Sequence, residues 1–476
     1  MNPSINTNKI SLDSGIHEEC GIVGVYAPGE SVSRIAFFGL FALQHRGQES
    51  VGFASWDGTK IRLKTAMGLI SQGITEEQIS LLPGYSAIGH TRYSTTGSSN
   101  SKNAQPIRSK GPNGEIALAH NGNVVNSKEL RQELSEWGCE FETSNDSEII
   151  AHMLTYLPGN DWGEICSSLM RRLSGAYSLT VLTQDGILAI RDPLGVRPLC
   201  IGSLENGWII ASETCALDHV GADFVREVMP GEAVLVNSEK VTTIYQKKLN
   251  NRTASCIFEN IYFARPDSLL DGKLVYSQRM EMGAELSRKY PVEADLVIGI
   301  PDSATAAAVG YSRASGIPYG EGVIKNRYAG RTFILPDQRL RELGVRLKLN
   351  PLPEIINNKR LVVVDDSIVR GTTTPHVVKL LKRSGAKEIH LRICAPPIKW
   401  PCHLGVDLAS KRELIAANKS VDEIREFIGA DSLGYLDIES LLKSVNIPKN
   451  KVCLGCFNGN HPIPVQLEMD KLALEY

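Results

Sequence analysis

Two domains are expected in this chain: an α+β sandwich over residues 20–250, then an α/β domain with a parallel sheet over 265–440. Three observations lead there. The chain has 476 residues, more than one hydrophobic core usually serves, so each half must bury its own. The patterning also changes near residue 265. Before it, short β-rich runs alternate with Gly and Asn turns; beyond it, helical and strand-like runs alternate, as a parallel sheet requires. Finally, residues 361–374, LVVVDDSIVRGTTT, read as a strand covered on both faces that runs into a polar loop.

Taken in order, residues 1–19 include the polar run NPSINTNK and lack the apolar core of a secretory signal, a composition that agrees with a propeptide if the chain is cut after Glu19. In the first domain IGSLENGWIIAS and EAVLVNS carry strand character, and KELRQELSEW and SEIIAHMLTYL carry the helical period. The segment RPDSLLDGKLVY, residues 265–276, is turn-rich and reads as the crossing between domains. SQRMEMGAELSRKY, ADLVIGIPDS, ATAAAVGYSRASG, the LVVV strand, HVVKLLKRSG and EIHLRICAPP then alternate helix with strand, and residues 441–476 form a C-terminal tail.

Composition narrows the function classes. With 51 Lys and Arg against 53 Asp and Glu, and no long basic run or zinc-finger spacing, nothing points to nucleic acid. No apolar stretch is long enough to span a membrane. Without a signal peptide the expected location is cytoplasmic, where the ten cysteines stay mostly reduced.

Asp365 and Asp366 end the LVVV strand, where open α/β sheets place their ligand crevice. Paired carboxylates there suit ribose hydroxyls or hydrated magnesium. Ser367, Gly371, Thr372, Thr373 and Thr374 supply hydroxyls and approachable N–H groups for a phosphate at a helix start. Helix capping is the competing use of such residues.

The segment resembles the phosphoribosyl diphosphate (PRPP) loop of type I phosphoribosyltransferases. The resemblance implies that Asp365 and Asp366 hold the ribose hydroxyls and magnesium while Arg370 to Thr374 wrap the 5-phosphate. It also implies a place for Ser303, in VIGIPDSATAA, near the magnesium or pyrophosphate, with capping again the alternative. KNRYAGRTFI, residues 325–334, looks like the family's loop that closes over PRPP, and Lys325, Arg327 and Arg331 make suitable pyrophosphate partners.

In the first domain Cys20 lies in EECGIVGVY, followed by QHRGQES, HTRYSTTG, AHNGNVVN and TSNDSE. This ordered series resembles the class II glutamine amidotransferases, which implies a four-layer N-terminal nucleophile hydrolase sandwich with an N-terminal cysteine. Cutting after Glu19 gives Cys20 a free α-amine, which titrates near ~8 and can serve as base for its own thiol. The ordinary alternative is a buried packing cysteine. By resemblance Asn121 and Gly122 form the oxyanion hole, Arg92 holds the α-carboxylate of glutamine, Asp146 holds its α-amine, and Arg46 and Thr95 support them. An Asn amide, a glycine N–H and a planar guanidinium suit those tasks.

Cys453 and Cys456 form a C-x-x-C, a spacing that serves redox, zinc or iron–sulfur chemistry. Together the two domains resemble the PRPP amidotransferase family, one branch of which carries a four-iron, four-sulfur cluster (4Fe-4S). The resemblance places its ligands at Cys256, Cys402, Cys453 and Cys456, with zinc on the same thiolates as the competitor. Cys139, Cys166, Cys200, Cys215 and Cys394 read as packing residues. The implied reaction moves the amide nitrogen of glutamine to PRPP, with purine nucleotides as feedback inhibitors and a homotetramer as the assembly. A glucosamine-6-phosphate synthase-like enzyme would share the first domain, but the Asp365-Asp366 loop argues for PRPP. An asparagine synthetase-like enzyme would need an ATP pyrophosphate loop, which is not found. A PRPP-sensing regulator would leave Cys20, Asn121 and Asp146 unexplained.

Overall fold

The run GIVGVY forms strand Gly21–Tyr26, and all six of its residues are buried because the strand lies mid-sheet with layers on both sides. The computed structural model describes residues 20–93, 99–238, 240–248, 252–326, 348–406, 408 and 410–463. Strand Gly21–Tyr26 belongs to a seven-stranded antiparallel sheet in the order Asp223–Glu227, Cys200–Leu204, Gly207–Ala211, Gly21–Tyr26, Ser86–Arg92, Ser50–Trp56, Ile61–Met67. A second antiparallel sheet has six strands, ordered Val241–Gln246, Glu232–Val236, Gly186–Arg191, Gly175–Thr183, Gly114–Val124, Ile107–Gly111.

The sheets face each other through small and branched apolar residues: Ile22, Ala54 and Ile88 from the first meet Ala119, Leu182 and Ile187 from the second. Helices Val32–Ala42 and Thr214–Val220 cover the outer face of the first sheet. Helices Ser127–Glu136, Asp146–Tyr156 and Trp162–Arg172 cover the second. The result is a sandwich of four layers, helix, sheet, sheet, helix.

The second domain holds a four-stranded parallel sheet, Leu296–Gly299, Arg360–Asp365, Glu388–Ile393 and Ser432–Tyr435, with register Val363 opposite Ile298 and Leu391. Alternate residues of the central strand enter different cores. Val362 and Val364 pack with Met282, Leu286 and Tyr311, whereas Leu361 and Val363 pack with Val377, Leu381 and Ile424. Burial on both faces explains the unbroken apolar run, and each fully buried side chain contributes roughly 1.5–3 kcal/mol relative to exposure.

Segment 265–276 is more than a crossing. It folds into the short pair Leu269–Leu270 and Lys273–Leu274, and it docks on the first domain through Glu213, which accepts from the Arg265 N–H at 2.8 Å and Ser268 Oγ at 2.7 Å. Glu213 also accepts from Arg46 Nη1 at 2.5 Å, and Glu259 accepts from Arg46 Nη2 at 2.7 Å. Burial opposes the charge on Glu213, but His45 and Arg46 outweigh it and hold the carboxyl well below the usual range.

The tail returns to this seam. Val452–Cys453 pairs in parallel with Ser255–Cys256, Cys456 O accepts from the N–H groups of Lys399 and Trp400 at 2.9 and 3.1 Å, and Phe457 packs on Phe258 with ring centroids 5.5 Å apart.

Candidate active site

Cys20 immediately precedes strand Gly21–Tyr26, whose register sets Gly21 opposite Thr91 and so brings Cys20 beside Arg92 and Tyr93. Its Sγ donates to the Tyr93 carbonyl at 3.2 Å, and its own carbonyl accepts from Arg46 Nε at 3.2 Å. The thiol is 5% exposed. Burial pushes it up to about 11, against the opposing pull of the Tyr93 hydrogen bond and the Arg92 charge; Glu49 and Asp146 push in the same direction as burial. At that value the thiol is protonated at neutral pH and needs a base. His90 is a poor one: burial drives it down to about 3, and its Nε2 lies 3.1 Å from the His120 carbonyl oxygen.

Asn121 and Gly122 lie in strand Gly114–Val124 of the second sheet, opposite Ser178 and Tyr177. The Asn121 side chain is buried, and neither its nitrogen nor its oxygen has a hydrogen-bond partner among the described residues. An unmet buried amide costs roughly 1–3 kcal/mol, which marks it as a group awaiting a ligand. Gly122 has φ +149°, and a Cβ there would stand 2.0 Å from Ala176 O, so only glycine fits. Asp146 opens helix Asp146–Tyr156, where the helix dipole favours a carboxylate. Its Oδ2 accepts from the Val124 N–H at 2.9 Å, and its Oδ1 is 3.7 Å from His120 Nδ1. Arg92 and Asp146, expected on opposite ends of one amino acid, both act electrostatically on the Cys20 thiol, in opposite senses.

Arg46, expected as a supporting contact for glutamine, is placed behind the nucleophile. Its buried guanidinium is engaged with Glu213, Glu259 and the Cys20 carbonyl. Thr95 lies outside the described residues, as do Arg327, Arg331 and residues 1–19.

In the second domain Asp365 and Asp366 stand at the C-terminal end of strand Arg360–Asp365, both partly exposed. Burial raises both, and the neighbouring Asp366 charge raises Asp365 further. Hydrogen bonds from Ser303 and Ser367, with the Arg279 charge, oppose the rise at Asp366. Ser303 Oγ donates to Asp366 Oδ2 and Ser367 Oγ to Asp366 Oδ1, each at 2.5 Å. Ser303 therefore joins the carboxylate pair rather than capping the next helix, whose N-cap is Ala304. Thr373 is the N-cap of helix Thr374–Arg383 without a side-chain cap bond, and Gly371 and Thr372 precede it in the same loop. Lys325 ends strand Val323–Lys325 and pairs with Asp302 at 3.0 Å, and Arg370 Nε donates to Glu413 Oε2 at 2.9 Å. The acids are hard oxygen donors whose charge desolvation disfavours and a nearby cation would favour, a setting a magnesium ion suits.

The four cysteines in question meet at the seam. Cys256 stands opposite Cys453 in the parallel pair, and the Leu404 N–H donates to Cys402 Sγ at 3.4 Å. Cys456 is raised by burial and then by the charges of the other three thiols. Among the described residues, no three His, Cys, Asp or Glu side chains are gathered closely enough to hold one metal ion. The five cysteines expected to pack are all buried.

Several residues at this seam carry no sequence signature. Tyr93 contributes a backbone oxygen, which any residue has. Glu213, Arg197 and Glu259 are charges embedded in apolar stretches, and that embedding is the signal available for them.

Family models match a glutamine amidotransferase domain over residues 90–219 and a phosphoribosyl transferase domain over residues 266–410. The amidophosphoribosyltransferase of Synechococcus elongatus is 49% identical over 471 residues, covering 96% of this chain and 94% of its own. That of Archaeoglobus fulgidus is also 49% identical, over 452 residues, covering 94% and 98%. Among solved structures, a glutamine PRPP amidotransferase from B. subtilis complexed with ADP and GMP superimposes with a TM-score of 0.88 at 42% identity, covering 95% of this chain and 99% of that one. A structure described as the allosteric regulatory enzyme of purine biosynthesis does so with a TM-score of 0.88 at 43% identity, covering 94% and 98%.

Proposed function

Because the chain belongs to the amidophosphoribosyltransferase family and transfers the amide nitrogen of glutamine to PRPP, we propose that Cys20 is its nucleophile and the Asp365-Asp366 loop its PRPP site. The products are 5-phosphoribosylamine, glutamate and pyrophosphate, in purine biosynthesis.

In the proposed glutamine half, the Cys20 α-amine, freed by loss of residues 1–19, takes the thiol proton. Sulfur adds to the amide carbon, and the oxygen gains negative charge that the Asn121 amide and Gly122 N–H receive. The amine returns the proton to the leaving nitrogen, ammonia departs, and water cleaves the thioester to glutamate. Arg92 and Asp146 hold the two charged ends of the substrate. In the transferase half, ammonia attacks C1 of PRPP and pyrophosphate leaves. Asp365 and Asp366 hold the ribose hydroxyls and magnesium, with Ser303 beside them; Ser367 and Arg370 to Thr373 enclose the 5-phosphate. A magnesium ion held by Asp365 and Asp366 would supply positive charge for the pyrophosphate. Lys325, Arg327 and Arg331 are proposed pyrophosphate partners.

The observation that carries the thiol site is the buried Asn121 amide without a partner, next to a position only glycine can fill. Asn121→Ala is expected to lower glutamine hydrolysis by about 10²–10³-fold. Iodoacetamide, which needs no oxyanion hole, should still alkylate Cys20. Hydrolysis at the parent rate contradicts the assignment.

A 4Fe-4S cluster on Cys256, Cys402, Cys453 and Cys456 is proposed at the seam. The charges of the other three thiols all act on Cys456, and cysteine thiolates suit such a cluster, with zinc as the competitor. Protein purified without oxygen is expected to be brown, with about four iron and four sulfide per chain. Cys453→Ser should lose that metal and loosen the tail to protease. A colourless, fully active protein with one zinc per chain refutes the cluster. No described helix is long and apolar enough to cross a membrane. A cytoplasmic location, purine-nucleotide feedback inhibition and a homotetramer complete the proposal.

A further inference from the structure

A turn of the second domain, residues 402–405, lies directly against the strand that carries Asn121 and Gly122. Asn123 Nδ2 donates to the His403 carbonyl at 3.1 Å, and Arg197 Nη2 donates to the Leu404 carbonyl at 2.6 Å. Gly405 has φ +107°, and a Cβ there would come within 2.9 Å of Arg197 Nη2 and 3.4 Å of the Gly122 carbonyl carbon. A Cβ at Gly122 would stand 2.0 Å from Ala176 O, so this backbone packs closely on the neighbouring strand. The strand that carries the glycine of the thiol site is therefore tied, one residue on at Asn123, to a turn supplied by the other domain.

Arg197 extends this clamp. It is fully buried, and its carbonyl accepts from Ser178 Oγ at 3.1 Å, the residue opposite Asn121 in the sheet. Its Nη1 is 3.8 Å from Glu259 Oε1, and Glu259 binds Arg46, whose Nε holds the Cys20 carbonyl. Nucleophile and oxyanion strand are thus both tied to segments beyond the first domain's sheets.

We infer that the 402–405 turn is a positioning element for glutamine hydrolysis: through Asn123 and Gly405 it fixes the direction of the Gly122 N–H, so the first domain's oxyanion hole is complete only with the second domain docked. This rests on the assignment of Asn121 and Gly122 to the oxyanion hole. A donor must stand 2.7–3.1 Å from the developing charge, and a displacement near 1 Å costs roughly 10²-fold. The turn also carries Cys402, so ligation of that thiolate would restrain the same clamp.

The test uses the full chain with Asn123→Ala and the isosteric Asn123→Asp, which sets a carboxylate against the His403 carbonyl. Glutamine hydrolysis is expected to fall about 10- to 100-fold in kcat with little change in KM for glutamine. Ammonia-dependent synthesis and iodoacetamide alkylation of Cys20 should stay at the parent level, a split that general unfolding does not produce. Unchanged hydrolysis in both variants, or loss of both reactions in step, overturns the inference. Cys20→Ala is assayed alongside: continued glutamine hydrolysis there defeats the thiol-site reading itself, whereas its inactivity beside a fully active Asn123→Ala defeats only the role of the turn.

Discussion

Asp366→Asn is expected to abolish synthesis from glutamine and from ammonia together, each by about 10²-fold or more. Asparagine keeps the shape of the side chain and an acceptor for one of the two serine hydroxyls; Ser303 and Ser367 donate to different oxygens of Asp366, each at 2.5 Å. What it removes is half of a carboxylate pair at the end of the central strand. Burial makes that pair costly to ionise, so a cation and ribose hydroxyls are the partners that would repay the arrangement. Assaying the two nitrogen donors side by side decides the matter, because both reactions need PRPP in place. If only the glutamine reaction falls, Asp366 serves the coupling between sites and the PRPP loop has been misassigned.

Cys20→Ala should separate the same two reactions. Glutamine-dependent synthesis is expected to vanish, since no other group is assigned to form the thioester, while synthesis at high ammonia continues on the separate parallel sheet. In the unsubstituted protein the pH dependence of Cys20 alkylation follows from burial. Without a free α-amine beside it the buried thiol is held up at about 11, so alkylation should be slow at neutral pH and rise as pH approaches that value. With the leader removed, the α-amine lies beside the sulfur and the rate should already be substantial near ~8.

Much of this was readable in the chain because local chemistry announces it. The run LVVV followed by two acids has few uses other than a buried strand ending at a ligand crevice, and the structure covers both its faces. Helices Ser127–Glu136 and Asp146–Tyr156 lie where their apolar period set them. The four-layer stacking was implied by resemblance, since short strands in sequence do not reveal which sheet they join. Arg46 shows the limit most clearly. Its partners Glu213 and Glu259 are far away in sequence, and the motif QHRGQES gives no hint that the guanidinium turns inward to the seam. Segment 265–276 looked like a bare crossing for the same reason: its turn residues are local, but its docking on Glu213 is not. The approach of the 402–405 turn to strand Gly114–Val124 escapes sequence reading altogether, because it joins residues of two domains that lie far apart in sequence.

In the proposed mechanism a deeply buried thiol becomes a nucleophile by acquiring its own terminal amine. The most direct measurement is the intact mass and N-terminal sequence of the protein that turns over glutamine. A chain beginning at Cys20 with a free α-amine is the predicted result. Full glutamine-dependent activity in protein that still carries residues 1–19 contradicts it, and another base for Cys20 would then have to be found.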